Sequence, residues 1–181
     1  MTKDRFEELF TSVLADPLKY SGFERRGKSL FCPGELEQFA LIRGGGRFSN
    51  KGEIKHIVCF RHSFLRETTE LTVPTQPPPY AEHYPFLLEP QLLCLGGPGD
   101  WTYNPENHQR LSYGRFDFSM SSEKAVVAYL NQLRIQLTDH WMPWGRSLAP
   151  EIALSQIQPY QREWWVARIW CEDYEKHLGG R

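Results

Sequence analysis

Phe6, Leu9, Phe10, Val13 and Leu14 recur at i, i+3, i+4, i+7 and i+8, which places them on one face of a helix near the N-terminus. Asp4 stands near its start, where a carboxylate suits the positive end of the helix dipole. The Asp16-Pro17 pair predicts the end of that helix, because the residue before a proline is pushed out of the helical region. Beyond it the period shortens to two. Ser29 to Cys32 and Phe39 to Arg43 read as short strands. Ile54 to His62 reads as a longer one, in which Ile54, His56, Val58 and Phe60 alternate with Lys55, Ile57, Cys59 and Arg61. Apolar residues occupy both sets towards its end, which predicts a central strand. The glycine-rich stretch from Gly44 to Gly52 predicts a hairpin between the last two strands.

The middle of the chain is less regular. Thr75 to Pro79 must be extended and cannot donate ladder hydrogen bonds, so it reads as a loop crossing the surface. Phe86 to Leu95, interrupted by Pro90, fits a short helix or an edge strand. Leu111 to Phe118 predicts a further strand with a bulge at Gly114, since Leu111 and Tyr113 share one parity and Phe116 and Phe118 the other. Ser121-Ser122-Glu123 then opens a second helix carrying Val126, Leu130, Leu133 and Leu137 at helical spacing. After a connector containing Pro143 and Pro150, a last helix runs from about Tyr160 to Leu178. Tyr160, Trp164, Ala167, Cys171, Tyr174 and Leu178 form its stripe, and Gly179-Gly180 ends it. The order predicts an α+β fold, an antiparallel sheet with an N-terminal helix and two C-terminal helices packed against it.

The 181 residues fit one domain with its own core. Twenty-one Lys and Arg against 22 Asp and Glu leave a net charge of −1, which argues against nucleic acid or an anionic membrane as partner. No apolar run approaches the ~18 residues of a membrane span. The opening MTKDRFEELF has acidic residues and no apolar core of a signal peptide, so a cytoplasmic location is expected. Cys32, Cys59, Cys94 and Cys171 are scattered and read as reduced, buried thiols. His56 and His62 lie six apart on one strand, roughly 20 Å by strand rise, and cannot share a metal. No metal and no cofactor is expected. Asp173 and His177, four apart on the last helix, read as a surface ion pair.

Two local concentrations stand out from the neutral total. Five of the six tryptophans, Trp141, Trp144, Trp164, Trp165 and Trp170, fall within 30 residues. Successive helix residues point about 100° apart, so Trp164 and Trp165 cannot both face the core. With Trp164 inward, Trp165, Trp170 and Tyr174 are the candidates for an interface with a second copy or another protein. The other concentration is basic. Gly22-Phe23-Glu24-Arg25-Arg26-Gly27-Lys28-Ser29 satisfies the G-x-x-x-x-G-K-[ST] pattern of a phosphate-cradling loop. That loop needs a buried strand before it and a helix after it. Here a helix precedes it, and Leu30-Phe31-Cys32-Pro33-Gly34 follows, so a basic turn entering a strand is the better reading.

The same stretch carries a family resemblance. The N-terminal amphipathic helix, Leu14-Ala15-Asp16-Pro17-Leu18, and the run from Gly22 to Phe31 resemble the bacterial domain-of-unknown-function 4304 family over about residues 5–32. The helix Val126 to Leu137 followed by Trp141-Met142-Pro143-Trp144 is compatible with it. The resemblance divides the single domain 1–181 into a family-like α+β core, 1–140, and a Trp-rich helical extension, 141–181. It implies no activity and no catalytic residue. The reading favoured is a non-catalytic binding or protein-interaction domain. The alternative is a protein or enzyme binding a small molecule or phosphate near the basic turn and central strand, through Arg25, Arg26, Lys28, Arg61 and His62. Arg43, Arg47 and Lys51 could extend that basic patch.

Overall fold

A computed structural model describes residues 1–44, 52–88 and 115–180. The expected strand at residues 111–118 is seen as Arg115–Asp117; its bulge at Gly114, and the basic residues Arg47 and Lys51, lie outside the described residues.

The chain begins with helix α1 (Lys3–Leu9), capped by the Thr2 hydroxyl, which accepts from the Arg5 N–H. Its apolar face continues, but the helix does not stop at Asp16-Pro17. It widens into a π-helical stretch, Phe10–Ala15, in which the Asp16 N–H donates five residues back to Thr11 O, and then resumes as α2 (Asp16–Lys19). Proline has no N–H for a bond four residues back, and its ring crowds that carbonyl. A wide turn immediately before it relieves both problems. The same device recurs later: α3 (Glu123–Ile135) widens over Gln136–Trp141, Met142 N–H donates to Leu137 O, and Pro143 sits in the first turn of α4 (Met142–Ser147). Pro150 opens a further helix, α5 (Pro150–Ile157), so the expected connector is itself helical. The last helix, α6, spans Trp165–Gly179, later than the expected start at Tyr160.

The fold is α+β, as the periodicity predicts. Strands β1 (Glu24–Arg26), β2 (Ser29–Cys32), β3 (Glu37–Gly44) and β4 (Glu53–His62) pair antiparallel in that order. On its other edge β4 meets β5 (Phe86–Leu88) along Val58–Phe60 and β6 (Arg115–Asp117) along Glu53–Lys55. β4 is therefore the central strand. Two sets of side chains are buried on it. Ile54, Val58 and Phe60 join Phe6, Phe10, Phe39, Leu130 and Trp170 in the large core beneath the helices. Ile57 and Cys59 join Phe31, Ala40, Ile42, Ala81 and Tyr84 in a smaller one on the opposite face.

That second face is covered by the segment from Leu65 to Tyr84, here called the strap. Thr75, Gln76 and Pro79 lie on the surface as expected, but Pro77 and Pro78 are buried. A proline buried there leaves only its carbonyl to satisfy. The Arg26 guanidinium donates to Pro77 O at 2.7 Å, and the Tyr84 hydroxyl to Pro78 O at 2.8 Å. On the helix side, α4 comes down on the sheet at Gly145. A Cβ placed there would lie 2.6 Å from Phe39 Cε1 and 2.8 Å from Phe60 Cδ2. Alanine is the better helix former by about 1 kcal/mol. Against a packed sheet the clash wins, and Gly145→Ala should lower stability by about 1–3 kcal/mol in urea unfolding. A neutral or stabilising result would mean the helix lifts off the sheet at no cost.

Candidate functional site

The residues expected to bind a ligand are placed by strand geometry, and that geometry separates them. The Gly22–Ser29 motif forms a hairpin: β1, a two-residue turn at Gly27-Lys28 with Gly27 at φ +63°, and β2. No helix N-terminus follows it. Arg25 and Arg26 are successive strand residues and point to opposite faces. Arg25 turns to the helix side, where Nη2 meets Glu7 Oε2 at 3.0 Å, Nη1 donates to Thr11 Oγ1 at 2.8 Å, and the guanidinium lies over Phe10. Arg43 completes this cluster, meeting Glu7 Oε1 at 2.7 Å and lying over Phe6. Arg26 turns to the strap side and covers the Phe31 ring at 3.7 Å. Lys28 is exposed at the turn.

Arg61 and His62 are likewise successive, and both are buried. Arg61 points at the strap. Its Nη1 donates to His83 O at 3.0 Å and its Nη2 to Leu65 O. Burial pushes its pKa down to about 10, so it remains a cation at neutral pH. His83 is held in turn by Thr68, whose N–H and hydroxyl both reach Nδ1. His62 points at the helices, with Nδ1 2.8 Å from the Tyr174 hydroxyl and Nε2 3.1 Å from Leu148 O. His56, six residues earlier on the same face, repeats the arrangement, with Nδ1 2.7 Å from the Tyr129 hydroxyl. Arg25, Arg26, Lys28, Arg61 and His62 are thus not gathered into one place. Four of the five are used to fasten elements together.

The interface candidates divide as well. Trp165 is 54% exposed, whereas Trp170 and Tyr174 are fully buried. Trp170 packs edge-on against Trp164 at 5.4 Å. The expectation that Trp170 and Tyr174 face a partner is corrected: α6 starts at Trp165, and Trp170 and Tyr174, five and nine residues on, face the core with Val166, Ala167 and Cys171.

What the surface does offer is a groove of about 650 Å³ between the start of the strap and the C-terminal half of α6. Phe64 and Val73 line one side, Glu172, Lys176 and His177 the other. The His177 ring stacks face to face on Phe64, centroids 3.9 Å apart. Asp173 is buried, not on the surface as the spacing suggests, and is held by Arg66. The Arg66 N–H reaches Oδ2 at 2.8 Å, its Nε reaches Oδ1 at 2.6 Å, and Nη2 also meets Glu172 at 3.0 Å. Val73 is 53% exposed, and Leu71, two residues before it, is 47% exposed at φ +57°. A non-glycine residue in the left-handed region is strained, and such strain persists where surrounding structure imposes it. Here the Glu67 N–H to Thr72 O bond, 2.8 Å, closes the turn around Leu71. Phe64, Arg66 and Leu71 belong to a turn with no periodic pattern, so nothing in the spacing marks them.

Comparisons with family models, with curated proteins and with solved structures found no match to this chain. Among the described residues, no helix is long and apolar enough to cross a membrane.

Two outcomes follow from the buried polar groups. Asp173→Ala should cost about 2 kcal/mol, because it removes one hydrogen bond from a guanidinium and one from a backbone N–H. Glu172→Ala, at an exposed ion pair, should cost under about 1 kcal/mol; urea midpoints of the two variants test the ordering. His56 has its pKa lowered to about 3, chiefly by burial and then by the Arg43 charge. Above pH 6.5 the imidazole is neutral whether the chain is folded or not. Below it only the unfolded chain takes the proton, so stability falls by about 1.4 kcal/mol per pH unit down to about pH 3. His62, lowered by burial to about 4, adds a second proton, so unfolding midpoints between pH 7 and 4 should fall at least this steeply, and His56→Gln should lose one proton of the slope.

Proposed function

We propose that this chain is a non-catalytic binding domain that engages a protein partner along α6, through the groove beside Phe64 and the exposed Trp165. The observation that carries the reading is the contrast in how polar side chains are used. Arg26, Arg43, Arg61, His56 and His62 are spent on joining elements. The groove instead shows the outside an apolar floor, Phe64 and Val73, rimmed by charges, with the strained, half-exposed Leu71 two residues before Val73. Apolar surface bordered by polar groups is the usual character of an interaction site. The partner is another protein or a second copy of this chain. Cys32, Cys59 and Cys171 are buried thiols outside any disulfide, which suits a reducing, cytoplasmic setting. Descent from the domain-of-unknown-function 4304 family, on the resemblance over residues 5–32, belongs to the same proposal. The described contacts of Arg25, Arg26, Arg61 and His62 lie on two faces of the sheet and join elements, which favours this reading over the basic-turn alternative.

A photo-crosslinking side chain at Val73 or at Trp165, in the native cell, tests the reading. A discrete adduct from those positions, absent when the probe replaces the exposed Tyr20 and weakened at least tenfold by Leu71→Asp, is expected. Equal yields from all three positions, or no adduct at any, would overturn it.

A further inference from the structure

We propose that His62 is an acid-sensitive latch, whose protonation releases α6 from the sheet while β3 and β4 stay paired. The inference is independent of whether a partner occupies the groove. His62 is the last residue of β4, and one imidazole holds three elements: its own strand, α6 through Tyr174, and the segment before α5 through Leu148. The hydrogen-bond pattern fixes the tautomer. Leu148 O can only accept, so Nε2 carries the hydrogen; Nδ1 is then the acceptor, and the Tyr174 hydroxyl donates to it.

A proton arriving at Nδ1 meets that hydroxyl head-on. Tyr174 would have to turn its own hydrogen away, yet it is fully buried, and among the described residues its hydroxyl has no second partner. The rings around the imidazole are apolar or aromatic: Phe60 edge-on at 5.2 Å, Tyr174 edge-on at 5.5 Å, and Phe64 stacked at 5.3 Å.

The charged groups nearby do not compensate. On its own strand Arg61 is a cation on the opposite face, and across on β3 Glu37 is its register partner without a hydrogen bond to it. Arg66, in the turn, is taken up by Asp173 and Glu172, and Asp173 has both oxygens on Arg66. Glu151 on α5 favours the charged imidazole, but more weakly than burial opposes it. On α6, His177 lies against the other face of Phe64, so a proton there opposes one on His62.

Held in place, His62 resists protonation to about pH 4; freed, it takes the proton at its ordinary 6.5. Each pH unit between those values weakens the docking of α6 about tenfold, and the whole interval about 300-fold. Release would uncover Trp170 and Tyr174. The β3–β4 ladder, eight residue pairs long, has no such group in its backbone bonds.

Amide hydrogen exchange of the full chain at pH 7, 5.5 and 4.5, corrected for intrinsic rates, reads this directly. Opening of residues 169–179 should rise about tenfold per pH unit below 6.5, ahead of residues 39–42 and 57–60. His62→Gln, which keeps a donor and an acceptor but cannot titrate, should flatten the helix response. Helix and strands exchanging through one common opening at every pH, or a helix slope unchanged in His62→Gln, would overturn the proposal. Should that variant fail to fold, the His62 Cε1 proton signal in the native chain decides: it must titrate together with helix opening, and titration near 6.5 with the helix still protected would refute the latch.

Discussion

A strand buried on both faces has nowhere to hide a polar side chain, and β4 carries three that matter. His56 and His62 look towards the helices and Arg61 towards the strap, all essentially shut off from water. An unpartnered polar group in such a place costs more than a made hydrogen bond gains. Each therefore demands a specific neighbour: Tyr129 on α3, Tyr174 on α6, and the carbonyls of Leu65 and His83. Apolar contact would let the helices slide on the sheet. These bonds fix where they stop, because a phenol one turn out of place would leave two polar atoms stranded.

The consequence for function is a division of labour. Residue types that usually signal chemistry, arginine and histidine on a central strand, serve here as fasteners. The strap is the clearest case. It has a small apolar core beneath it, and what holds it down is a buried guanidinium, a phenol and a second arginine stacked on Phe31. Four carbonyl groups, those of Leu65, Pro77, Pro78 and His83, are thereby satisfied outside any sheet ladder.

Much of this was legible in the chain's period. The N-terminal face, the two long strands, the centrality of β4 and the Ser122 cap all follow from spacing and residue type. So, in principle, did the failure of the basic site: Arg25-Arg26 and Arg61-His62 are neighbours on strands, and strand neighbours face apart. What spacing could not supply was tertiary. Pro17 and Pro143 read as stops, yet a wide turn carries the helix past each. Pro77 and Pro78 read as surface, yet donors from distant residues make their burial affordable in hydrogen bonds. Trp170 and Trp165 could be told apart only once the phase of α6 was set by its start, and the groove joins an aperiodic turn to a helix over a hundred residues later.

The two wide turns also constrain how the sequence can change in length. A π-helical stretch holds one residue more than an α-helical turn would need for the same advance. Deleting any residue between Phe10 and Ala15 would close it and rotate everything before it by about 100° about the helix axis. Phe6 would swing off Phe118, and Arg43 and Arg25 would lose Glu7 together. Substitutions within these segments can be absorbed one side chain at a time, but an insertion or deletion there cannot. Their lengths, more than their letters, are what descent must preserve.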